Sequence, residues 1–307
     1  MITTVCMNPC FDKTSTVRRL VPGAVNRLEN IRYDIGGKGL NVALVLQQLC
    51  VQVNCIGCLG TADEVSFNTL LRTTGLDFRY LPLEGKTRTN LKLQDAETGV
   101  LTEFNEPGPP MDAEQFVLFI SLLEKETANS SYVVFSGRVP EGCGDNAYQH
   151  CMRAIANQRC VLDATDNSLL FGIRERPFLI KPNLQELQAI IGQELRTMDE
   201  IRNAIHGLIK DGVQNVIVSM GEEGALFTDG KHTLYSPALQ VDVKSTVGAG
   251  DAMLGGVLMG LEKGADMGDS FRFGVAAGAA SVMMEGTQPL QYSDFEALLP
   301  KVTLRKI

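Results

Sequence analysis

The second half of the chain alternates between short apolar segments and amphipathic segments, and this alternation limits the folds open to it. Apolar runs at 132–135 and 215–219 have the length of buried strands, and segments with helical spacing at 112–128 and 198–211 separate such runs. Strands that alternate with helices predict a parallel sheet with helices on both faces. Polar residues repeatedly follow the strand ends, so we expect one crevice along that edge of the sheet.

Residues 87–105 depart from this pattern and predict a β-hairpin with its turn at 95–99. Alternation places Arg88, Asn90 and Lys92 on one face of the first strand. This polar face could cover a ligand, and the opposite face could meet a partner chain. For Lys92 we expect an ordinary solvated charge.

Composition excludes several classes of protein. The 307 residues are 44% hydrophobic with a net charge of −8, which argues against nucleic acid as a partner. No apolar run approaches the roughly 18 residues needed to cross a membrane. The N-terminus enters a strand without a basic region, so we expect a soluble, cytoplasmic protein. An anionic substrate would then require a local basic pocket.

The cysteine and histidine residues give no sign of a metal or redox site. Most of the eight cysteines lie in apolar stretches, and the Cys55–Cys58 pair has no second pair or nearby histidine, so we expect structural thiols. The three histidines lack metal-ligand spacing, and the chain contains neither a Walker A pattern nor G-x-G-x-x-G.

A glycine-rich turn at Gly248-Ala249-Gly250 leads into an amphipathic helix with Asp251 in its first turn. Free N–H groups at such a helix start attract anions such as phosphate. A carboxylate beside phosphate is repelled unless it takes a proton from an attacking hydroxyl. We therefore interpret this stretch as a phosphoryl-transfer site with Asp251 as the base. The alternative is a plain helix cap.

A second glycine-rich helix start lies at 36–43, where Lys38 could reach a phosphate and Asn41 a sugar hydroxyl. The alternative is a flexible turn with a solvated lysine. Farther along, Asn183 and Glu186 share one face of a first helical turn, where a carboxylate could organise the waters of Mg²⁺. Helix capping is the alternative for that pair. Asp12 follows a predicted strand, and a turn role is its alternative.

These motifs together resemble the PfkB (ribokinase-like) carbohydrate kinase family. The two glycine-rich stretches match its two signatures, and two further motifs follow in order, Lys181-Pro182-Asn183-x-x-Glu186 and Ser219-Met220-Gly221-x-x-Gly224. Lys38 and the stretches 8–12 and 87–90 are similar to the branch that acts on phosphorylated ketohexoses. The resemblance covers nearly the whole chain.

The resemblance implies a fold and an assembly. We expect one α/β kinase domain over 1–307, a three-layer ribokinase-like fold with a mostly parallel sheet flanked by helices. A small β-sheet lid would come from about 12–34 and 86–106. In this branch the lids of two chains usually clasp, which implies a homodimer.

The resemblance also assigns residues by matching position. Asp251 is implied as the base, and the amides of Ala249, Gly250 and Asp251, after Gly248, as the anion hole. Asp12, Gly37 and Asn41 would bind the sugar, while Lys38, Arg88 and Arg27 would hold its phosphate. Ser219, Gly221 and Gly224 would line ATP, and Lys181, Asn183 and Glu186 would serve its phosphates, with Glu186 binding Mg²⁺ through water.

Three positions depart from the family pattern. Arg138 stands where a small residue is usual, and could add phosphate affinity or alter specificity. The stretch 163–166 departs from Asp-x-Ser-Gly, and Ser245 replaces the aspartate of potassium-dependent relatives, which argues against a monovalent-cation site. The implied reaction is ATP-dependent phosphorylation of fructose 1-phosphate to fructose 1,6-bisphosphate. Tagatose 6-phosphate or fructose 6-phosphate are alternative substrates, and a non-catalytic sugar-phosphate-binding protein is a remote alternative.

Overall fold

A computed structural model describes residues 1–286 and 288–307. The strands are β1 (Ile2–Cys6), β2 (Cys10–Val17), β3 (Glu29–Gly36), β4 (Val53–Gly60), β5 (Phe78–Leu83), β6 (Arg88–Asp95), β7 (Leu101–Asn105), β8 (Tyr132–Ser136), β9 (Cys160–Asp163), β10 (Leu179–Ile180), β11 (Val216–Ser219), β12 (Ala225–Thr228), β13 (Thr233–Ser236) and β14 (Arg305–Lys306). The helices are α1 (Lys38–Gln48), α2 (Glu64–Thr74), α3 (Ala113–Thr127), α4 (Ala147–Ala154), α5 (Asp166–Ile173), α6 (Leu184–Ile191), α7 (Met198–Lys210), α8 (Ala249–Glu262), α9 (Met267–Ser281) and α10 (Tyr292–Leu298).

The main sheet has the strand order β14-β13-β12-β11-β10-β9-β8-β1-β4-β5. Neighbouring strands from β11 to β5 run parallel, whereas β12, β13 and β14 pair antiparallel at one edge. Every residue of β1 is buried, as expected for a strand covered on both faces. The predicted mostly parallel sheet is therefore confirmed.

Side chains of each central strand alternate between two helical layers. In β8, Val133 and Phe135 join a core with α3, α4 and α7, whereas Tyr132 and Val134 join a core with α1, α8 and α9. Successive residues of a strand point to opposite faces, so this division follows from the pleat. The predicted three-layer arrangement is confirmed.

A separate small sheet has the order β3-β2-β6-β7. Strands β2 and β6 pair parallel with Asp12 opposite Asn90, and β6 and β7 pair antiparallel with Lys92 opposite Glu103. The side chains of Asp12, Asn90 and Lys92 face the carboxyl edge of the main sheet, where they line a cavity. On the other face, exposed apolar side chains accumulate, notably Ile31, Tyr33 and Phe104.

Helices α8 and α9 pack unusually closely because glycines face each other at their contact. A Cβ atom on Gly256 would lie 2.5 Å from the carbonyl oxygen of Phe273, and one on Gly274 would lie 2.5 Å from Val257. The run of small residues at 274–280 thus permits close packing. This contact fixes the position of α8, which begins at the candidate site.

Most of the cysteines are buried, as expected for structural thiols. Cys6, Cys10, Cys55, Cys58, Cys151 and Cys160 are buried, and all eight cysteines are free. Burial raises the pKa of the Cys58 thiol well above its usual value, so it is unreactive. Across the described ranges, every helix is too short or too polar to cross a bilayer.

Candidate active site

The start of α8 presents free backbone amides to a cavity. Gly248 precedes the helix in the left-handed conformation, with φ of 80°, which glycine adopts without strain. The amide of Ala249 donates to the carbonyl of Thr246 at 3.3 Å, but the amides of Gly250 and Asp251 have no acceptor in the described part of the chain. Two of the three predicted anion-hole amides are therefore free to bind a ligand.

Asp251 is buried and does not cap the helix. Its Oδ2 accepts a hydrogen bond from Nδ2 of Asn41 at 2.8 Å, which links the two glycine-rich helix starts. Burial and the negative charge of Asp163 raise the pKa of Asp251 to about 6, against the opposing effects of Lys38, Asn41 and Lys181. A carboxylate with this pKa is mostly ionised at neutral pH and is a stronger base than an exposed aspartate.

Two lysines share one buried carboxylate. The Nζ atoms of Lys38 and Lys181 each lie 3.4 Å from Oδ1 of Asp163. Burial alone would lower the pKa of Lys38, but the charges of Asp163, Asp251 and Glu186 raise it above its usual value. Lys38 is consequently a fixed positive charge, and the alternative of a flexible, solvated lysine is wrong.

The pair Asn183 and Glu186 forms the helix cap that was the alternative interpretation. Oδ1 of Asn183 accepts from the amide of Glu186 at 2.8 Å, and Oε2 of Glu186 accepts from the amide of Asn183 at 2.9 Å. Capping engages only one oxygen of the glutamate. Its Oε1 lies 3.8 Å from Nζ of Lys38, so the carboxylate also faces the cavity.

Asp12 and Lys92 form a buried ion pair on the small sheet. Nζ of Lys92 lies 2.6 Å from Oδ2 of Asp12, and the two side chains are 5% and 2% exposed. The expectation of a solvated Lys92 is wrong because its face of β6 turns toward the crevice between the two sheets. Asp12 lies within β2, so its alternative as a turn residue is also wrong.

Arg88 is a cation without an anionic partner. Its Nε donates to the carbonyl of Asn8 at 3.1 Å, and its Nη1 donates to Oδ1 of Asn90 at 2.9 Å. Among the described residues no carboxylate lies within ion-pair distance of its guanidinium. Two neutral acceptors orient the group and leave its charge available to a ligand.

These groups surround one cavity of about 450 Å³ at the carboxyl ends of the central strands. The predicted residues that line it are Asp12, Gly37, Lys38, Asn41, Arg88, Arg138, Lys181, Asn183, Glu186, Ser219, Gly248, Gly250 and Asp251. Ala249 lies beside them in the chain. The cavity is formed where an α/β sheet is expected to bind its ligand.

Besides Ala249, three predicted residues are absent from the lining of this cavity. Arg27 lies in a separate surface depression on the loop between β2 and β3. Gly221 and Gly224 are also absent from the lining. A Cβ atom on Gly224 would lie 2.1 Å from the carbonyl oxygen of Ser236, so close packing against β13 accounts for this glycine.

Several site residues escaped the sequence interpretation. Lys92, Glu103 and Asn105 line the cavity from the small sheet, and Asp163 holds two lysines beneath it. The position of Glu103 could have been predicted from the hairpin turn, because the turn sets the register of β6 and β7 and places Glu103 opposite Lys92. No local pattern marked Asp163 as the shared partner.

Two departures from the family pattern face each other at the cavity mouth. Nη2 of Arg138 lies 3.7 Å from Oδ2 of Asp166, and both side chains are largely exposed. Asp166 has a φ of 54°, a left-handed conformation usual for glycine. The two unusual residues are thus in reach of one another.

Comparison with known proteins identifies the family of this chain. The pfkB family carbohydrate kinase profile matches residues 6–292. A 1-phosphofructokinase of Borreliella burgdorferi is 32% identical over 311 residues, covering 100% of this chain and 99% of the relative. That of Escherichia coli K12 is 31% identical over 310 residues, covering 99% and 98%. Phosphofructokinase-2 from Escherichia coli, solved with substrates and products, superimposes with a TM-score of 0.92 at 27% identity, covering 98% of each chain. The family and the fold expected from the motifs are confirmed, and the chain belongs to the pfkB family of carbohydrate kinases.

Proposed function

We propose that the protein transfers the γ-phosphoryl group of ATP to a ketohexose phosphate, converting fructose 1-phosphate to fructose 1,6-bisphosphate. One observation carries this proposal. A buried carboxylate with a raised pKa, Asp251, adjoins free amides in a cavity that also contains the unpaired cation Arg88. The first two features serve phosphoryl transfer, and the third serves a substrate that already carries a phosphate.

In the proposed reaction, Asp251 takes the proton from the sugar hydroxyl. The hydroxyl oxygen forms a bond to the γ-phosphorus as the bond to the ADP oxygen breaks. Charge on the transferred group is stabilised by the amides of Gly250 and Asp251 and by the positive end of α8. Asn41 holds the carboxylate in place through its hydrogen bond.

Substrate binding follows from the remaining wall of the cavity. We propose that Arg88 and Lys38 hold the existing phosphate and that Asp12, Gly37 and Asn41 bind the sugar. Arg138 is exposed at the mouth of the cavity, and we propose that it adds a further contact to the substrate. Phosphate recognition by Arg88 is favoured because its charge has no counter-ion among the described residues.

The residues near Glu186 fit Mg²⁺ bound with ATP. Oδ2 of Asp163 is buried without a hydrogen-bond partner in the described structure. Carboxylate oxygens are hard ligands, and Mg²⁺ commonly uses one or two of them together with phosphates and water. No group of three metal-ligating side chains occurs in 1–286 or 288–307, so ATP would complete such a site. Glu186 through water and Asp163 would hold the ion, which neutralises phosphate charge when bound.

For the nucleotide we propose the end of β11 and the first turn of α6. Ser219 lines the cavity there, beside Asn183 and Lys181. Gly221 and Gly224 would extend this surface toward the base of ATP, beyond the cavity itself.

The small sheet has two proposed roles. Its polar face, which bears Asp12 and Lys92, would act as a lid that excludes water from the transferred group. Its other face carries Ile31, Tyr33 and Phe104, each about half exposed. We propose that this apolar face meets the same face of a second chain in a homodimer.

An ADP-release assay with Mg-ATP tests the proposed function. The panel is fructose 1-phosphate, tagatose 6-phosphate, fructose 6-phosphate and fructose, and we expect the highest kcat/KM for fructose 1-phosphate. A higher kcat/KM for tagatose 6-phosphate or fructose 6-phosphate would leave the proposed mechanism intact and change the proposed substrate. Activity on fructose alone would contradict the phosphate-binding roles of Lys38 and Arg88. No turnover on any sugar would favour the non-catalytic binding protein.

A further inference from the structure

Lys92 is a buried cation at the cavity wall that the proposed reaction leaves without a role. It lies on β6 two residues beyond Asn90, on the face that turns toward the cavity, and its side chain is only 5% exposed. A buried ammonium group is costly unless its N–H donors are satisfied.

The hydrogen bonds of Lys92 are incomplete. An ammonium group has three N–H donors. One donates to Oδ2 of Asp12 at 2.6 Å, and no other acceptor is present among the described residues. Because Lys92 lines the cavity, the remaining donors are available to a molecule bound there.

Asp12 is the complementary half of the pair. Its Oδ1 is approached by Nδ2 of Asn90 at 3.3 Å and by the Cys10 thiol at 3.4 Å, while Oδ2 accepts from Lys92. The surrounding groups all donate to the carboxylate, which keeps it an acceptor. The pair therefore presents an acceptor and a donor about one hydrogen-bond length apart.

We propose that Lys92 binds a hydroxyl of the sugar next to the hydroxyl bound by Asp12, and that the pair selects the relative configuration of these two hydroxyls. The charge of Lys92 is balanced by Asp12, so the pair suits a neutral diol, whereas the unpaired Arg88 suits the phosphate. This inference rests on the proposed ketohexose phosphate kinase activity. It makes Lys92 a specificity determinant, since a buried donor left unpaired penalises the wrong epimer.

The test compares Lys92→Met with the wild type, using fructose 1-phosphate and its carbon-4 epimer, tagatose 1-phosphate. We expect KM for fructose 1-phosphate to rise about 10- to 100-fold, as for loss of a charged hydrogen bond, with KM for ATP unchanged. The ratio of kcat/KM between the two epimers should fall at least tenfold. Lys125→Met is the control, because Lys125 is an exposed lysine on α3 that lies outside the lining of the cavity.

A second variant distinguishes loss of the Lys92 contact from misfolding. Lys92→Met leaves Asp12 buried without a counter-ion, so the double variant Asp12→Asn/Lys92→Met removes both charges together. The ratio of kcat/KM between the two epimers should also fall at least tenfold in this double variant. An unchanged ratio in a folded double variant would overturn the inference. A wild type that phosphorylates ketohexose phosphates while Lys92→Met keeps its KM would refute only the role of Lys92. A wild type inactive on every ketohexose phosphate would refute the proposed function as well.

Discussion

At the scale of single residues, Asp251 serves the proposed chemistry at the expense of stability. Its folded-state pKa of about 6 lies above the ordinary value of 3.8, so the folded protein binds this proton more tightly than the unfolded chain does. The stabilisation from that proton is complete below about pH 4 and is lost as the pH rises through 6. Above that range the group is an ionised carboxylate in a buried place.

Replacing Asp251 with asparagine should therefore separate activity from stability. We expect kcat to fall about a thousandfold or more, because the base is lost. At pH 8 the free energy of unfolding should rise by about 1 to 3 kcal/mol, and the gain should vanish near pH 4. Urea denaturation at both pH values measures this. The exposed Asp166→Asn variant is the control and should show no comparable gain; near-normal turnover of Asp251→Asn would remove Asp251 as the base.

The same pKa sets the pH dependence of turnover. We expect kcat/KM to be level at pH 7 to 8 and to drop toward tenfold per pH unit below about 6, as Asp251 becomes protonated. The phosphate of the substrate also titrates in this pH range. Its contribution is measured separately as the affinity of Asp251→Asn for the sugar phosphate over the same range. A profile that stays level down to pH 5 would be inconsistent with this assignment.

Individual residues show where sequence reasoning succeeds and where it stops. The location of Lys38, Asn41 and Asp251 at one cavity was predicted because each lies in a short motif with a chemical rationale. Lys92 was misjudged because a lone strand does not reveal whether its polar face meets water or another sheet. Asp163 matches the first residue of the family's Asp-x-Ser-Gly pattern, but that pattern does not reveal the two lysines that tertiary packing brings to its carboxylate.

At the scale of elements, the glycines between α8 and α9 determine where the start of α8, the proposed anion-binding site, lies. Gly256→Ala should lower the free energy of unfolding by about 1 to 3 kcal/mol, because the new methyl group meets the Phe273 carbonyl oxygen 2.5 Å away. Gly207→Ala in α7 is the matched control, since nothing lies within 4 Å of its Cβ position. There we expect a gain of about 0.5 to 1 kcal/mol from helix propensity. Thermal unfolding measures the stability change in both variants. An equal loss of stability in Gly256→Ala and Gly207→Ala would contradict the proposed importance of the α8–α9 contact.

Elements with strong periodicity were predicted well. The alternation of strands and helices and the hairpin at β6 and β7 were readable because period and turn chemistry are local. The antiparallel edge of β12, β13 and β14 was not specified, because which short strand pairs with which depends on distant contacts.

At the scale of the whole molecule, the proposed dimer depends on the outer face of the small sheet. Ile31→Glu combined with Phe104→Glu places charges on this half-exposed apolar face. We expect wild type at twice the 33.4 kDa chain mass in light scattering, and the double variant at the chain mass. Val117→Glu, at an exposed valine on α3, a helix that packs against the main sheet, serves as the control. A wild type that is monomeric at micromolar concentration would contradict the proposal.

The hydrogen bond between Asn41 and Asp251 has a consequence for biosynthesis. Its partners are 210 residues apart, and β1, made first, lies between strands made later. A ribosome delivers the N-terminal part first, so the proposed sugar-binding side of the cavity emerges long before Asp251 and the free amides at the start of α8. Under the proposed mechanism, the nascent chain has no phosphoryl-transfer site until α8 leaves the ribosome, and an interrupted translation product would therefore be unable to consume ATP.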